Sequence, residues 1–261
     1  MTDVLRYDEA ATRRLLAIYE TPDVAAQREA FVRALALQPG ERVLDVGAGP
    51  GLLAALIADT VGPGGLVCGV DISAPLLAAA RSQCAGRPQL RFAEGDATRL
   101  PADDAAFDVA ISTQVLEYVA DVDAALAEMQ RVLRPGGRAV IVDTDWDSIV
   151  WAAPDAPRCE RVLAAWEAHA ANVHLPRSLA RRLDQAGFAL RDVQVLPLLN
   201  ATHREDSYSH RMVGLIADFV ARCGGAAAED ARAWERDMSA QAASGSWFFS
   251  LNRYLFRADR R

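Results

Sequence analysis

The first residues whose types and spacing could do chemistry are those of Val43–Gly51, VLDVGAGPG. Gly47, Gly49 and Gly51 stand where a short apolar run gives way to an amphipathic one, the place of a strand-to-helix turn. Glycine there lets the backbone approach a ligand that a Cβ would strike, and the helix that follows offers free N–H groups. The dinucleotide fingerprint G-x-G-x-x-G is not met, because Leu52 stands where its third glycine belongs. Asp45, just before the turn, would repel a pyrophosphate but suits a ligand carrying an ammonium group. Asp71 closes the next apolar run, 20 residues after Gly51, where a carboxylate can accept both hydroxyls of a ribose. Asp96, in EGDA after the third run, can accept an exocyclic amino group while a neighbouring backbone N–H serves a ring nitrogen. Each acid also has a plainer reading, Asp45 and Asp71 as helix caps and Asp96 as a turn residue. Taken together with the glycines, they point to a nucleoside-like, positively charged ligand.

Such residues need a frame that brings them to one edge. From Arg42 onward, short apolar runs alternate with amphipathic ones, the pattern of a buried parallel sheet. Strands are expected at 42–46, 66–70, 90–93, 107–112 and 138–143, with helices at about 51–60, 74–84 and 122–133. Arg134-Pro135-Gly136-Gly137 should end the last helix and turn into the fifth strand. All three acids then fall at carboxyl ends of consecutive strands, where open α/β sheets bind ligands. Residues 1–38 read as helices broken at Thr21-Pro22-Asp23, and 144–174 as an irregular insertion. A helix at 178–186, a sixth strand at 190–196, helix over 206–243 interrupted at Cys223-Gly224-Gly225, and a last strand at 247–256 complete the chain. This gives an N-terminal helical lid (1–38), a ligand-binding core (39–143) and the rest of the sheet with helical cap insertions (144–261), all in one integrated domain.

Composition narrows the partners. With 28 basic and 35 acidic residues the net charge is −7, which disfavours nucleic acid and anionic membrane and leaves a small molecule. Cys68, Cys84, Cys159 and Cys223 share no metal-ligand spacing, so reduced thiols and no metal are expected. No run approaches the ~20 apolar residues of a membrane span, and the charged start lacks a signal peptide's core, so a cytoplasmic protein is expected. Monomer and homodimer remain equally open.

Five motifs in one order, VLDVGAGPG, GVDIS, EGDATRLP, FDVAISTQVLEYVAD and RVLRPGGR, make the stretch from about Tyr19 to Val142 resemble the class I S-adenosylmethionine-dependent methyltransferases. It is most similar to the small-molecule group of ubiquinone and menaquinone biosynthesis. The resemblance implies a Rossmann-like α/β fold with a seven-stranded, mostly parallel sheet whose last strand is antiparallel. It implies S-adenosyl-L-methionine as cofactor and S-adenosyl-L-homocysteine as product. By position, Asp45, Gly47, Ala48, Gly49 and Gly51 would line the methionyl end, and Asp71 with Ile72 the ribose and adenine. Asp96 and Ala97 would contact adenine, while Ser112, Thr113 and Gln114 would face the methionine moiety. Tyr19 would belong to a lid over the cofactor or be a core aromatic, and Arg28 matches a recurring residue of the same segment. The chain departs from the pattern at Tyr118, where many relatives have histidine.

Methyl transfer from a sulfonium is an in-line displacement, so a general base is optional. An amine acceptor needs only to be neutral, whereas a hydroxyl profits from His, Asp or Glu. Asp143 and Asp145, in VDTDWD at the end of the fifth strand, and His169 and His174 in the insertion are the candidates, with Glu117, His203 and His210 behind them. Each has an ordinary structural role as well. Trp146, Trp151, Trp166, Trp247, Phe248 and Phe249 suit a flat or apolar acceptor, or simply the core of the insertion. Two other outcomes share the fold: an enzyme of cyclase or decarboxylase type that binds the cofactor without methylating, and a non-enzymatic binding module. A nicotinamide oxidoreductase is disfavoured by Asp45 and the glycine spacing.

Overall fold

The computed structural model describes residues 9–222 and 224–261, so residues 1–8 of the expected lid and the Cys223 break lie outside the described residues. Two helices come first, α1 (Glu9–Tyr19) and α2 (Pro22–Leu35), with Pro22 in the first turn of α2, where a missing N–H costs nothing. Next come β1 (Arg42–Val46), α3 (Leu52–Val61), β2 (Leu66–Asp71), α4 (Ala74–Gln83), β3 (Leu90–Glu94), β4 (Phe107–Thr113), α5 (Val122–Val132) and β5 (Leu133–Thr144). Helix starts are set by side-chain caps: Ser73 accepts from the Leu76 amide, and Asp121 from that of Ala124.

β5 begins five residues earlier than its sequence suggests. The expected Arg134–Gly137 turn lies inside the strand: Leu133 pairs with Phe107, and a register shift follows before Val109. Gly136 takes φ +77°, and at Gly137 a Cβ would meet two backbone oxygens at 2.9 Å. Glycine absorbs the irregularity and the ladder continues.

Beyond β5 lie the two-residue β6 (Val150–Trp151), α6 (Ala156–Trp166), α7 (Pro176–Gln185), β7 (Phe188–Asn200), α8 (Tyr208–Arg222), α9 (Gly225–Ser244) and β8 (Phe249–Arg260). The sheet order is β3-β2-β1-β4-β5-β8, with β7 on the far side of β8. β1 to β5 are mutually parallel, and β8 runs antiparallel between β5 and β7, as expected of the last strand. Among the described residues the two-residue β6 adds to the seven expected strands, returning after a 3-10 turn to pair with the first residues of β8. The insertion is also more regular than its Trp- and Pro-rich sequence suggests. Asp155 accepts the Arg158 amide at 3.0 Å and Pro157 fits the first turn, so α6 is a capped helix.

α5 and α7 pack on one face of the sheet through Leu126, Met129 and Leu179, and α2 and α3 on the other through Phe31, Leu35 and Ile57. A third apolar cluster joins α6, α8 and α9 to the start of β8. Trp151 sits at its centre, edge-on to both Trp234 and Trp247 and 4.6 Å from the Phe249 ring. Among the described residues, no helix is long and apolar enough to cross a membrane.

Candidate functional site

A cavity of about 1060 Å³ opens at the carboxyl ends of β1, β2 and β4, beneath α1 and α2. Asp45, Gly47, Ala48 and Gly49 line it from the first turn, Asp71 and Ile72 from the second, Asp96 and Ala97 from the third. Thr113 and Gln114 line it after β4, and Tyr19 with Arg28 from the helices. Of the expected cofactor residues, Gly51 and Ser112 stay outside the lining; at Gly51 a Cβ would press on Ala80 and Phe92 at 3.0 Å and on Cys84 at 3.1 Å. Ser112 is buried behind the wall.

The glycines divide their work. Gly47 has φ +74° and a Cβ would meet Val115 at 2.1 Å, so this glycine is required by packing. Gly49 has φ +53° and faces nothing within 4 Å, leaving open space where a ligand can approach the backbone. Its N–H donates to Asp71 Oδ2 at 2.8 Å while the Ser73 amide donates to Oδ1 at 2.8 Å. Burial raises the Asp71 pKa although those amides pull it down. Since Ser73 caps α4, the capping role considered for Asp71 is filled by its neighbour.

Asp45 is the electrostatic centre of the cleft. Only 2% of it is exposed, and Oδ2 has no hydrogen-bond partner in the protein. Burial first, and then the nearby Asp71, push its pKa up to about 7. An ammonium group in the cleft would supply the charge partner that the protein does not. On the opposite wall Gln114 takes the left-handed φ of +57°, uncommon outside glycine. Its amide N–H donates to the Val142 carbonyl at 2.7 Å, and the Thr144 hydroxyl donates to its Oε1 at 2.6 Å. Asp96 is exposed and accepts from the Thr98 amide and hydroxyl, at 2.8 and 2.7 Å, so it does hold a turn while lining the cavity.

Tyr19 forms part of the cavity wall and is otherwise enclosed by protein, which pushes its phenol up to about 12. Arg28 donates to the Tyr19 backbone carbonyl, fastening α2 to the end of α1.

The four catalytic candidates separate. His169 lines the cavity, stacked on Trp166 at 3.9 Å with Nδ1 2.7 Å from the Trp166 carbonyl. A carbonyl only accepts, so Nδ1 carries the hydrogen and Nε2 keeps its lone pair; Nε2 has no partner in the protein. Burial pushes the imidazole down to about 4, so it is neutral at physiological pH. Asp143 is fully buried outside the lining, with Oδ1 accepting from the Val115 and Glu117 amides. Burial and the neighbouring Glu117 hold its carboxyl well above the usual range.

Asp145 and His174 also lie outside the lining. Burial pulls the Asp145 carboxyl up, but Arg177 Nε at 2.7 Å and His174 Nδ1 at 3.2 Å outweigh it and lower the pKa. Asp145, Asp147 and His174 place ligand atoms within 4.8 Å of one another, yet the Arg177 guanidinium pairs with both carboxylates and supplies the positive charge there. His203 and His210, 3.0 Å apart, border a separate hollow against Trp247.

Among the wall residues without a sequence signal, two are polar and face the cavity away from the glycine turn. Gln27 lies on α2, and Arg253 comes from β8, which reads only as an alternating strand. Glu117 is buried beside the cavity, accepts the Trp146 indole N–H at 2.9 Å, and is pushed up to about 7 by burial. None of the tryptophans lines the cavity, and apart from the exposed Phe248 the aromatic-rich stretches are core packing.

Residues 44–141 match the family model described as a methyltransferase domain. The chain is 36% identical over 201 residues to an uncharacterized 37.1 kDa protein in transposon TN4556 of Streptomyces fradiae, covering 75% of this chain and 56% of that one. Against a demethylmenaquinone methyltransferase of Beutenbergia cavernae it is 43% identical over 116 residues, 44% of this chain and 46% of the other. The chain thus spans about half the length of the curated relatives it matches. The YcgJ protein of Bacillus subtilis superposes with a TM-score of 0.62 at 21% identity, covering 91% of this chain and 99% of that one. A Haemonchus contortus phosphoethanolamine N-methyltransferase 2, solved with S-adenosylhomocysteine, gives 0.64 at 18% identity over 99% of this chain and 59% of that one. Identities this low establish the fold alone. Residues 44–141 thus match a methyltransferase-domain model, the chain shares the α/β fold of solved methyltransferases, and over about half its length it is similar to demethylmenaquinone and ubiquinone/menaquinone C-methyltransferases.

Proposed function

We propose that this protein transfers a methyl group from S-adenosylmethionine to an O, N or C atom of a small metabolite, leaving S-adenosylhomocysteine. The observation that carries this reading is the Asp45 carboxylate, buried at the glycine turn with an oxygen that has no partner in the protein. It suits the ammonium group of a phosphate-free cofactor and would repel a dinucleotide. When bound, S-adenosylmethionine supplies the activated methyl group.

The chain's own residues bind, orient and enclose. Asp71 would accept the ribose hydroxyls, Ile72, Asp96 and Ala97 would border the adenine, and Gly47, Ala48, Gly49, Thr113 and Gln114 would surround the methionyl end. Gly51 supports that turn from below. Tyr19 and Arg28 cover the cleft and exclude water. At about 1060 Å³ the cavity stands at the upper end of the range for small-molecule pockets, roughly 300–1,000 Å³, which supports an acceptor beside the cofactor. Val24, Phe31, Val119 and Leu196 give the remaining space an apolar lining, which supports an apolar or aromatic acceptor. Quinone precursors, named for several relatives, are the first to try. Where the acceptor is a hydroxyl, His169 is the best placed of the four candidates to take its proton; Asp143, Asp145 and His174 serve the scaffold. A small-molecule acceptor in place of nucleic acid agrees with the net charge of −7.

Incubation with methyl-labelled S-adenosylmethionine and reduced naphthoquinones tests the reading. Label in the acceptor with matching S-adenosylhomocysteine supports it. Tight S-adenosylhomocysteine binding with no label transferred, across quinol, phenol, amine and aromatic-acid acceptors, would favour a non-methylating enzyme of the same fold.

A further inference from the structure

β8 carries a charged side chain into the part of the cavity that the nucleoside-binding residues do not reach. Arg253 lies opposite Thr144 of β5 and Leu196 of β7. It is therefore two strands beyond β4 and three beyond β1, about 10 and 14 Å across the sheet at ordinary strand spacing. It lines the cavity although only 7% exposed. The guanidinium is held in place. One terminal nitrogen donates to Gln27 Oε1 at 2.6 Å, the Gln27 amide donates to the Leu196 carbonyl at 2.8 Å, and the Tyr208 ring centre lies 5.3 Å away.

A counter-charge is missing. Among the described residues no carboxylate comes within 4.0 Å of this guanidinium, and its Nε–H is buried without an acceptor. Glu117 and Asp143 feel its charge without forming an ion pair with it, and burial raises the pKa of both. An immobilised, nearly buried cation without an anionic partner is costly, and the planar guanidinium fork matches a carboxylate through parallel hydrogen bonds.

We propose that Arg253 is the specificity-determining residue for the acceptor, recognising a carboxylate on it and orienting its reacting atom toward the methionyl end of the cleft. The proposal rests on the methyltransferase reading of the cavity. Gln27 and Tyr208 position the guanidinium, and the apolar wall of Val24, Phe31 and Leu196 takes the rest of the molecule. The acceptor class is an acid with an apolar or aromatic body.

The cofactor carries a carboxylate of its own, so the test separates the two sources. The intact protein is first titrated with S-adenosylhomocysteine, and the saturated complex is then titrated with benzoate and with its neutral isostere benzamide. Benzoate should bind more tightly than benzamide, and R253M should weaken benzoate by about ten-fold or more while leaving benzamide unchanged. R253K, which keeps the charge, should retain part of the benzoate affinity. S-adenosylhomocysteine affinity should stay within about two-fold in both variants, which also reports that they are folded. Equal binding of benzoate and benzamide to the unaltered complex, or benzoate binding indifferent to R253M, overturns the proposal. So does a ten-fold or greater loss of S-adenosylhomocysteine affinity in folded R253M, which assigns the cation to the cofactor's carboxylate. Failure of S-adenosylhomocysteine to bind the unaltered protein counts against the methyltransferase reading itself.

Discussion

Asp71 Oδ2 accepts the Gly49 amide N–H at 2.8 Å, so the carboxyl end of β2 holds the glycine turn that follows β1. The residue proposed to grip the ribose thereby also shapes the loop under the methionyl end. Asp71→Ala should lose both functions and weaken S-adenosylhomocysteine binding by about 1–3 kcal/mol, the cost of a charged hydrogen-bond partner. Calorimetry reads this directly, and unchanged affinity would remove Asp71 from the site.

Gly47 and Gly49 should respond differently to the same change. In Gly47→Ala the new methyl collides with Val115 at 2.1 Å, so the melting temperature should fall sharply. Gly49→Ala meets no protein atom within 4 Å and bears only the left-handed backbone strain, about 1–2 kcal/mol. Its deficit should appear in cofactor affinity. Equal thermal losses in the two variants would contradict this division.

The buried acids set a pH signature. Asp45 and Glu117 are both pushed up to about 7, so between their ordinary range of about 4 and that pH the folded chain holds protons that the unfolded chain releases. Stability of the free protein should therefore fall as pH rises toward 7. His169, lowered to about 4, acts in the opposite sense, but only below its unfolded value of about 6.5. The clean window is thus about pH 6.5 to 7.5, where the melting temperature should decline and D45N should flatten part of the decline. Over the same window S-adenosylhomocysteine affinity should rise as Asp45 ionises to meet the ammonium. A pH-independent affinity would separate Asp45 from that group.

Trp146 donates its indole N–H to Glu117, a residue only 1% exposed. Trp146→Phe leaves that acid short of a partner and should cost about 1–3 kcal/mol in urea unfolding. Restoring stability with Glu117→Gln in the same chain would show that the stranded carboxyl, rather than lost packing, is responsible.

Arg177 bridges Asp145 and Asp147 from a half-exposed position, away from the cavity. Arg177→Met should change stability by less than about 1 kcal/mol and leave cofactor binding untouched. A loss of cofactor affinity would return Asp145 to the active site.

What the sequence revealed follows from how local each signal is. β1 through β4 and the glycine turn are written in short apolar runs and in glycines that the backbone needs on the spot, so Asp45, Asp71 and Asp96 could be placed together from spacing alone. Arg253 joins them only because β8 returns antiparallel beside β5, a pairing across more than a hundred residues with no motif. Proline and tryptophan density hid α6, whose Asp155 cap and first-turn Pro157 are ordinary helix chemistry. Pro135, Gly136 and Gly137 read as a turn because their composition cannot distinguish a loop from an irregular strand. The tryptophans could be divided between a binding wall and a core only once the cap was seen to close around Trp151.

The central claim is that the glycine turn and its three acids hold S-adenosylmethionine. Titration of the purified protein with S-adenosylhomocysteine and, separately, with NAD tests it most directly. Saturable, one-site binding of S-adenosylhomocysteine, lost in Asp71→Ala, with no heat from NAD, is the result expected. Binding of NAD in place of S-adenosylhomocysteine would contradict it.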